Sequence, residues 1–251
     1  MASSPTPVVL ITAGSAGLGA ATARLFAQHG YRVVVNYITN AQRAEILCAE
    51  ILCAELGGGG HVAIQADLGS QNDVERLVHE AHAQMGRLDV VFSNGGWTRF
   101  SVTTSLDDNA VDADWDRAFA INVKSHILLL QAARLHLDKT EGAFVTTSSI
   151  AGVQGMGSSL AYSATKAAQL HMIRGLATMV APKIRVNSVS PGLLQTEWAE
   201  RFSKEQKEAH RQKAKLKRFV AVEDVAAQVL SLATSKSMTG ANIIVDAGYT
   251  L

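Results

Sequence analysis

Residues 8–19 read VVLITAGSAGLG, and this stretch decides the fold. Its first five residues form an unbroken run rich in β-branched side chains, which is typical of a strand buried on both faces of a parallel sheet. A glycine-rich turn follows, and an alanine-rich segment to about His29 predicts a helix. This order sets a phosphate group against the N–H groups that begin the helix. The stretch therefore predicts nucleotide binding, with a ligand-free glycine turn as the alternative.

The remainder of the chain repeats this alternation of strand and helix. Further apolar runs predict strands at residues 32–37, 61–66, 88–92, 143–147, 183–189 and 242–245, with helical segments between them. Such alternation predicts an α/β fold: a Rossmann-like, doubly wound, mostly parallel sheet of about seven strands with helices on both faces. The 251 residues contain no internal linker. We therefore expect a single dinucleotide-binding and catalytic domain over residues 1–251.

The composition argues against several kinds of partner. Lys and Arg number 23 and Asp and Glu number 22, so the net charge of +1 gives no reason to expect nucleic acid or an anionic membrane as a partner. The apolar runs are too short to span a bilayer. Cys48 and Cys53 lie too far apart along one predicted helix for a disulfide, so we expect free thiols and a cytoplasmic location. No metal site is predicted.

The helix that contains these cysteines also contains a local repeat. Residues 44–48, AEILC, recur as residues 49–53. An insertion of five residues rotates a helix face by about 140°, which should widen the apolar stripe. We interpret the repeat as a duplication with no chemical role.

Residues 148–166, SSIAGVQGMGSSLAYSATK, carry the candidate chemistry. Ser149 follows a predicted strand, and Tyr162 and Lys166 are four residues apart on a predicted helix, so they share a face. An ammonium group beside a phenol stabilises the phenolate and should lower the Tyr162 pKa from about 10. Such a Tyr exchanges a proton with an alcohol or carbonyl oxygen, and Ser149 would hold that oxygen. The alternative is a surface Tyr and Lys on an ordinary helix.

The end of the second strand bears on the choice of cofactor. An acidic residue there binds the ribose 2′-hydroxyl of NAD and repels the 2′-phosphate of NADP. This chain has Asn36 and Tyr37 at that point, followed by Thr39, Asn40 and Arg43, and it has no carboxylate there. NADP(H) is therefore favoured. NAD(H) stays open, because the glycine-rich turn contains no basic residue.

Four further features have two interpretations each. Asp67, after the third strand, either accepts a hydrogen bond from an adenine amino group or caps the next helix. Trp97, in the loop after the fourth strand, belongs either to a substrate wall or to local packing. Asn122 is either an ordinary helix-face residue or a buried side chain that needs a partner. The charged segment 197–219 is either a solvated helical excursion or a lid over a substrate.

Taken together, these motifs resemble the short-chain dehydrogenase/reductase family over nearly the whole chain. Residues 12–19, TAGSAGLG, resemble the family's T-G-x-x-x-G-x-G, except that Ala13 replaces the first Gly. Residues 93–96, SNGG, resemble N-N-A-G, with Ser93 and Gly95 as changes.

The other motifs match in the same order. They are Ser149, the Y-x-x-x-K motif at 162–166, the N-x-x-x-P-G-x-x-x-T pattern at 187–196, and DAG at 246–248, where the family has D-G-G. Asn122 falls where the family's catalytic Asn lies. The resemblance implies an NADPH-dependent carbonyl reductase similar to the family's ketoreductases. The alternatives are an NAD-linked alcohol or polyol dehydrogenase, and a nucleotide-binding sensor or scaffold with little turnover.

The resemblance also implies a role for each matching residue. Tyr162 would be the general acid in reduction and the general base in oxidation. Lys166 would lower the Tyr162 pKa and hold the nicotinamide ribose, and Ser149 would orient the substrate oxygen. Asn122 would support a water that connects Lys166 to solvent. Thr196 would bind the nicotinamide carboxamide.

The expected contacts of the cofactor and substrate follow from the same likeness. The residues expected to bind the cofactor are Thr12, Gly14, Ser15, Gly17, Leu18, Gly19, Asn36, Tyr37, Asp67, Leu68, Asn94, Gly95, Tyr162, Lys166, Pro191, Gly192 and Thr196. The residues expected to line the substrate pocket are Trp97, Met156, Leu193, Trp198 and Phe202. The substrate is expected to be a small-molecule ketone or alcohol. Family members commonly form homotetramers, and a homotetramer or homodimer is expected here.

Overall fold

The computed structural model describes residues 5–53, 60–155 and 157–251, so Met156 lies outside the described residues. Strands and helices alternate as predicted. The strands are β1 (Val8–Ile11), β2 (Arg32–Tyr37), β3 (Val62–Gln65), β4 (Val90–Ser93), β5 (Ala143–Thr147), β6 (Arg185–Pro191) and β7 (Asn242–Val245). The α-helices are α1 (Gly17–Gln28), α2 (Ala41–Cys53), α3 (Gln71–Met85), α4 (Leu106–Asn109), α5 (Asp112–Phe119), α6 (Ser125–Thr140), α7 (Leu160–Val180), α8 (Lys204–Lys213) and α9 (Val222–Thr234).

The strands form one parallel sheet in the order β3-β2-β1-β4-β5-β6-β7. The chain begins at β1 in the interior of the sheet, builds outward to β3, and then crosses back so that β4 pairs with the other side of β1. The predicted Rossmann-like fold is therefore confirmed. Ligands of such sheets bind beyond the carboxyl ends of the strands where the order reverses, which here are β1 and β4.

Helices cover both faces of the sheet and create two apolar cores. Helices α1, α2 and α9 pack on one face, and α3, α6 and α7 pack on the other. In β1, Val9 and Ile11 belong to the first core and Val8 and Leu10 to the second. Successive residues of a strand point to opposite faces, so a strand covered on both sides needs an apolar residue at every position.

The helical segment that contains Asn122 is interrupted. A π-helical turn over Ala120–Lys124 joins α5 to α6. Asn122 lies at the centre of this turn, and its side chain is hydrogen-bonded to residues outside the helix. These bonds stabilise a wider turn than the regular helical spacing predicts. Such turns are frequent at functional sites.

Two smaller differences concern the end of β6 and the loop after β4. The sixth strand was expected over 183–189, but β6 extends to Pro191, because Ser190 and Pro191 pair with Ile244 and Val245 of β7. The loop after β4 contains the short helix α4, which Ser105 caps by accepting an N–H bond. So short a helix lacks the apolar periodicity that would have predicted it.

The local repeat lies within α2, which runs continuously through residues 44–53. Cys48 is a buried free thiol. Residues 54–59, which include most of the glycine run after this helix, lie outside the described ranges. No helix in the described ranges combines the length and apolar character needed to cross a bilayer.

Ala13 and Ala247 have left-handed backbone conformations, with φ of 47° and 55°. Both residues stand where the family pattern has Gly. A side chain with a Cβ atom costs roughly 1–2 kcal/mol in this conformation, because the Cβ crowds the carbonyl oxygen. The chain therefore retains backbone strain at the two positions where it departs from glycine.

Replacing either alanine with glycine should stabilise the protein. We expect Ala13→Gly and Ala247→Gly each to raise the free energy of unfolding by about 0.5–1 kcal/mol, since the entropy of glycine in the unfolded chain offsets part of the relieved strain. Urea unfolding measures this change. Ala83→Gly, at an exposed position of α3, is the matched control and should lower the free energy of unfolding by a similar amount. If Ala13→Gly and Ala247→Gly both lowered the free energy of unfolding, the inferred backbone strain would be contradicted.

Candidate active site

The carboxyl ends of β1, β4 and β5 are joined by side-chain hydrogen bonds. Thr12 Oγ1 accepts from the backbone N–H of Asn94 at 2.9 Å and of Gly95 at 3.2 Å. Asn94 Nδ2 donates to the carbonyl oxygen of Ala13 at 3.3 Å, and its Oδ1 accepts from Thr147 Oγ1 at 2.9 Å. These bonds hold three strand ends together as the floor of a site.

The glycine turn (residues 13–17) leads into α1, whose first N–H groups receive no side-chain cap. Ala16 at the cap position is extended and makes no such bond. Gly19 packs so closely that a Cβ atom there would overlap a backbone carbonyl of the turn. A Cβ atom on Gly17 would lie 3.2 Å from Cγ2 of Thr196, so the turn faces the segment after β6. The N-terminus of α1 therefore fits the phosphate groups of a dinucleotide.

Asn36 is buried beneath the glycine turn, so its side chain does not reach the surface on which a nucleotide would bind. It is 2% exposed. Its Oδ1 accepts from the Ala13 N–H at 3.2 Å, and its Nδ2 donates to the carbonyl oxygens of Tyr37, Ile64 and Ala66. The amide is therefore committed to backbone groups, and it holds the turn against β2 and β3. This corrects the expectation that Asn36 contacts the cofactor.

A cavity of about 830 Å³ opens above these strand ends. The predicted residues that line it are Gly17, Leu18, Asn94, Ser149, Tyr162, Lys166, Pro191, Gly192, Leu193, Thr196, Trp198 and Phe202. The predicted residues outside its lining are Thr12, Gly14, Ser15, Gly19, Asn36, Tyr37, Asp67, Leu68, Gly95, Trp97 and Asn122. The structure thus brings Ser149, Tyr162 and Lys166 together beside the glycine turn.

Tyr162 and Ser149 meet at the wall of this cavity. The Ser149 hydroxyl accepts from the Ala151 N–H at 3.1 Å and is hydrogen-bonded to the Tyr162 phenol. Although part of the Tyr162 ring faces the cavity, burial of the phenol raises its pKa to about 12, and the bond with Ser149 opposes this rise. The predicted lowering of this pKa is therefore wrong for the structure. Loss of solvent penalises the phenolate more than its neighbours stabilise it.

Lys166 lies on the same face of α7 as Tyr162, with Nζ 5.6 Å from the centroid of the Tyr162 ring. The residue is 3% exposed. Its Nζ donates to the Thr147 carbonyl oxygen at 2.7 Å and to Gln169 Oε1 at 3.3 Å. Burial lowers the pKa of Lys166 to about 7. The ammonium therefore carries only part of its charge at neutral pH, which weakens its effect on the phenol.

Asn122 is buried and connects the loop after β4 to α7. Its Oδ1 accepts from the Trp97 N–H at 2.7 Å, and its Nδ2 donates to the Trp97 carbonyl at 2.9 Å and to Thr165 Oγ1 at 3.0 Å. A Cβ atom on Gly96 would lie 3.6 Å from Asn122 Oδ1 and 3.7 Å from Lys166 Nζ, so both side chains flank Gly96. The partners that a buried Asn requires are therefore present.

Trp97 belongs to local packing and does not line the cavity. Its backbone is held by Asn122, and the Arg117 guanidinium carbon lies 5.1 Å from the centroid of its ring. Its contact with the substrate stays a prediction. Phe100 in the same loop packs edge-on against Phe202, with 4.8 Å between ring centroids. The loop therefore supports the cavity wall through Phe100.

Asp67 and Leu68 occupy the turn after β3. Asp67 Oδ1 accepts from the Gly69 N–H at 2.8 Å, so the carboxylate stabilises this turn. The side chain is exposed, and its contact with adenine stays a prediction. Leu68 packs on Gly95, where an added Cβ atom would overlap Leu68 Cδ1. Gly95 therefore leaves free the space that the Leu68 side chain occupies.

Several residues of the segment 197–219 line the cavity, and the role of this segment as a lid stays a prediction. It begins with a 3₁₀ turn at Glu197–Arg201 and continues into α8. Glu197 Oε2 pairs with Arg43 Nη1 of α2 at 3.0 Å. The Trp198 ring lies 6.3 Å from the Tyr162 ring, measured between centroids.

The cavity also has a wall that was not predicted. It consists of Gln206, Ala209, His210 and Lys213 of α8, together with Tyr249. The spacing of the four α8 residues, three or four apart, is a signal that they share one helix face. Tyr249 carries no comparable signal, because it follows the last strand and reaches the cavity only in the folded chain.

Ser93, which stands where the family pattern has Asn, is paired with a histidine. Ser93 Oγ lies 2.6 Å from Nδ1 of His126, a fully buried residue of α6. His126 Nε2 has no hydrogen-bond partner among the described residues. Burial, reinforced by the charge of Lys166, lowers the pKa of His126 to about 3. His126 is therefore neutral in the folded protein near neutral pH.

Comparisons with known proteins agree with this geometry. A family model described as enoyl-(acyl carrier protein) reductase matches residues 12–250. The crystal structure of a short-chain dehydrogenase from Burkholderia cenocepacia in complex with NADP is 30% identical, with a TM-score of 0.87, over 98% of this chain and 98% of that one. The chain belongs to the short-chain dehydrogenase/reductase family. It is therefore an oxidoreductase of a family that uses NAD(P).

Three further members of this family show its range. A protein assigned as ketoacyl reductase 2 of the granaticin polyketide synthase of Streptomyces violaceoruber is 36% identical over 96% of this chain and 95% of its own length. The 3-oxoacyl-(acyl-carrier-protein) reductase of Staphylococcus aureus is 32% identical over 97% of this chain and 98% of its own. A 7α-hydroxysteroid dehydrogenase, solved with NADH and 7-oxo glycochenodeoxycholic acid, is 26% identical with a TM-score of 0.88, over 96% of this chain and 93% of its own.

The buried His126 of this short-chain dehydrogenase/reductase should make folding stability sensitive to acid. Its pKa is about 3 when folded and 6.5 as the reference value, so between these values the unfolded chain binds a proton that the folded chain does not. Stability from this site is present above pH 6.5 and is lost as the pH falls toward 3, with a slope of about 1.4 kcal/mol per pH unit. We expect His126→Gln to remove this slope from urea-unfolding free energies measured between pH 6 and 4.

His171→Gln is the matched control for this experiment. His171 is exposed on α7, so this variant makes the same substitution at a histidine that is not buried. The slope is the measured quantity because the loss of the Ser93 bond also lowers stability at every pH. An unchanged slope in His126→Gln would contradict the burial of a neutral imidazole.

Proposed function

We propose that this protein is a carbonyl reductase that transfers a hydride from a nicotinamide cofactor, with NADPH favoured, to a small-molecule ketone. One observation carries the proposal. A protonated Tyr162 phenol, hydrogen-bonded to Ser149 and adjacent to Lys166, lies in a cavity that the glycine turn also lines. The ketoacyl and 3-oxoacyl reductases among the relatives support the reductive direction.

Tyr162, Ser149 and Lys166 have different roles in the proposed reduction. The nicotinamide supplies the hydride when it is bound. Tyr162, whose pKa of about 12 keeps the phenol protonated at neutral pH, donates a proton to the carbonyl oxygen. The Ser149 hydroxyl orients that oxygen through a second hydrogen bond. Lys166 then stabilises the phenolate that remains after proton donation.

Asn122 and Gly96 support proton return to the phenol. Asn122 Oδ1 and Lys166 Nζ flank Gly96, where the glycine leaves the space between them open. A water held between these groups would carry protons from solvent to Lys166. The π-helical turn supports this proposal, because it presents the side-chain amide of Asn122 outside the regular helical spacing.

The residues after β2 favour NADPH. The strand end has no carboxylate to repel a 2′-phosphate, and Arg43 lies at the start of α2 with a side chain that is 41% exposed. Asn40 Oδ1 caps this helix by accepting from the Arg43 N–H at 2.8 Å, which fixes the position of Arg43. A guanidinium group binds phosphate with several parallel hydrogen bonds.

An NAD-linked alcohol or polyol dehydrogenase is the second candidate. The glycine turn contains no basic residue, and one structural neighbour was solved with NADH. A sensor or scaffold with little turnover is the third possibility. It is disfavoured because Ser149, Tyr162 and Lys166 converge in one cavity.

We also propose a cytoplasmic homo-oligomer, a tetramer or a dimer. Large apolar side chains remain exposed on α6 and α7, with Ile127, Leu135 and Met179 at 41%, 62% and 78% exposure. A second copy that packs these helices together would cover them. A single-chain mass in light scattering would contradict the assembly.

Replacing the phenol tests the chemistry. We expect Tyr162→Phe to lower kcat for ketone reduction by about 10²–10⁴-fold, the usual contribution of a positioned general acid, with little change in NADPH affinity. Tyr31→Phe, which removes a hydroxyl at the amino end of β2, is the matched control and should keep full activity. Stopped-flow hydride transfer and NADPH fluorescence titration measure the two quantities. Unchanged turnover in Tyr162→Phe would remove this residue from the mechanism.

Replacing Arg43 tests the cofactor preference. We expect Arg43→Ala to weaken NADPH binding about tenfold, which corresponds to one charge-assisted hydrogen bond, and to leave NADH binding unchanged. Fluorescence titration with each cofactor measures this ratio. Glu197→Gln removes the ion-pair partner and keeps the guanidinium, so it should not weaken NADPH binding. Equal losses for both cofactors in Arg43→Ala would contradict a role in 2′-phosphate recognition.

A further inference from the structure

The lid presents a polar helix face to the cavity. Gln206, Ala209, His210 and Lys213 of α8 all line the cavity. Their spacing of three, one and three residues puts them on one side of the helix. A capping box between Ser203 and Gln206 fixes the start of this helix. The helix face nearest the substrate is therefore ordered and hydrophilic, although Trp198 and Phe202 earlier in the lid are apolar.

His210 is held in place by a backbone N–H group and by an aromatic ring. Its Nε2 accepts from the Leu193 N–H at 3.4 Å, which leaves the proton on Nδ1. Its ring stacks on Tyr249 with 4.0 Å between centroids. Burial and the charge of Lys213 lower the pKa of His210, and Asp246 opposes this shift. His210 therefore serves as a support for the C-terminal wall of the cavity.

Lys213 is a charged residue of this wall that lacks a counter-ion. Its Nζ lies 4.2 Å from the centroid of the Tyr249 ring, so the aromatic face positions the ammonium. No carboxylate within 5–53, 60–155 and 157–251 forms a salt bridge with it. Glu197, an acidic residue of the cavity lining, is already paired with Arg43. Lys213 is therefore a cation of the cavity lining without a salt-bridge partner in the described ranges.

We propose that Lys213 is a specificity-determining residue that binds an acidic group of the substrate, at the end remote from the ketone. The inference rests on the proposed carbonyl reduction and names its substrate class: oxo-acids, with an apolar segment between the ketone and the acid. Trp198 and Phe202 contact that segment. The ketone lies against Tyr162 while the acid accepts hydrogen bonds from the Lys213 ammonium.

Equilibrium binding tests the acid site without requiring turnover. The probes are 5-oxohexanoate, 7-oxooctanoate and 9-oxodecanoate, each compared with its methyl ester by calorimetry on protein loaded with NADP⁺, which has no hydride to transfer to the ketone. We expect at least one acid to bind about tenfold more tightly than its ester, the magnitude of one charge-assisted hydrogen bond. The preferred chain length then reports the distance between the ketone and Lys213. Added salt should reduce the preference, because the ion pair is partly exposed.

Variants of α8 identify the group responsible. Lys213→Gln should reduce the acid-to-ester preference to about one, and Lys213→Arg should retain most of it. Lys204→Gln, the same charge change at a residue of α8 outside the cavity lining, should behave as the wild type. If no acid exceeds its ester, or if Lys213→Gln keeps the preference, the proposal is overturned. It is also overturned if Lys213→Gln weakens NADPH binding and leaves the preference intact, since the ammonium would then serve the cofactor.

The proposed reduction fails in a distinguishable way. NADPH oxidation with the three acids and three esters is followed at 340 nm in parallel. Reduction of acids and esters with equal kcat/KM would retain carbonyl reduction and overturn the acid site. Selective binding of the acids without NADPH or NADH oxidation would contradict the proposed reduction and leave the acid site supported.

Discussion

The site depends on hydrogen bonds that join the carboxyl ends of neighbouring parallel strands. Thr12 ties β1 to the N–H groups after β4, and Asn94 ties β1 to Thr147 at the end of β5. The backbone carbonyl oxygen of Thr147 in turn accepts a hydrogen bond from Lys166 Nζ. Parallel strands end at one edge of the sheet, so a single hydroxyl and a single amide align the glycine turn with the catalytic candidates.

Burial shapes the chemistry of the site as strongly as the identity of its residues. The Tyr162 phenol and the Lys166 amine both lose solvent, and each shifts toward its neutral form. A neutral phenol is the state needed to protonate a ketone. The phenolate that results needs a cation nearby, which an amine with a pKa near 7 can become by binding a proton. Under the proposed function, this pair would exchange a proton reversibly in a site with little solvent.

Several departures from the family pattern are matched by neighbouring residues. Ser93 pairs with the buried His126, and Gly95 leaves room for Leu68. Ala13 has no such compensation: it keeps the backbone conformation of the glycine it replaces, and the nearby Asn36 amide holds its N–H. Compared with the family motif one position at a time, Ser93, Gly95 and Ala13 are all mismatches. Ser93 and Gly95 each have a neighbouring side chain that fits the replacement, and Ala13 has none.

Sequence pattern was sufficient for the sheet and for part of the cavity lining, because apolar periodicity and motif spacing are local properties. The order of strands and helices and the convergence of Ser149, Tyr162 and Lys166 follow from them. The burial of a side chain depends on segments that are distant in the sequence, so its effects could not be predicted from the sequence pattern. It placed Asn36 under the glycine turn and raised the Tyr162 pKa that a neighbouring ammonium was expected to lower. The free energy of a buried polar group depends on atoms contributed by distant segments, and these meet only in the tertiary structure.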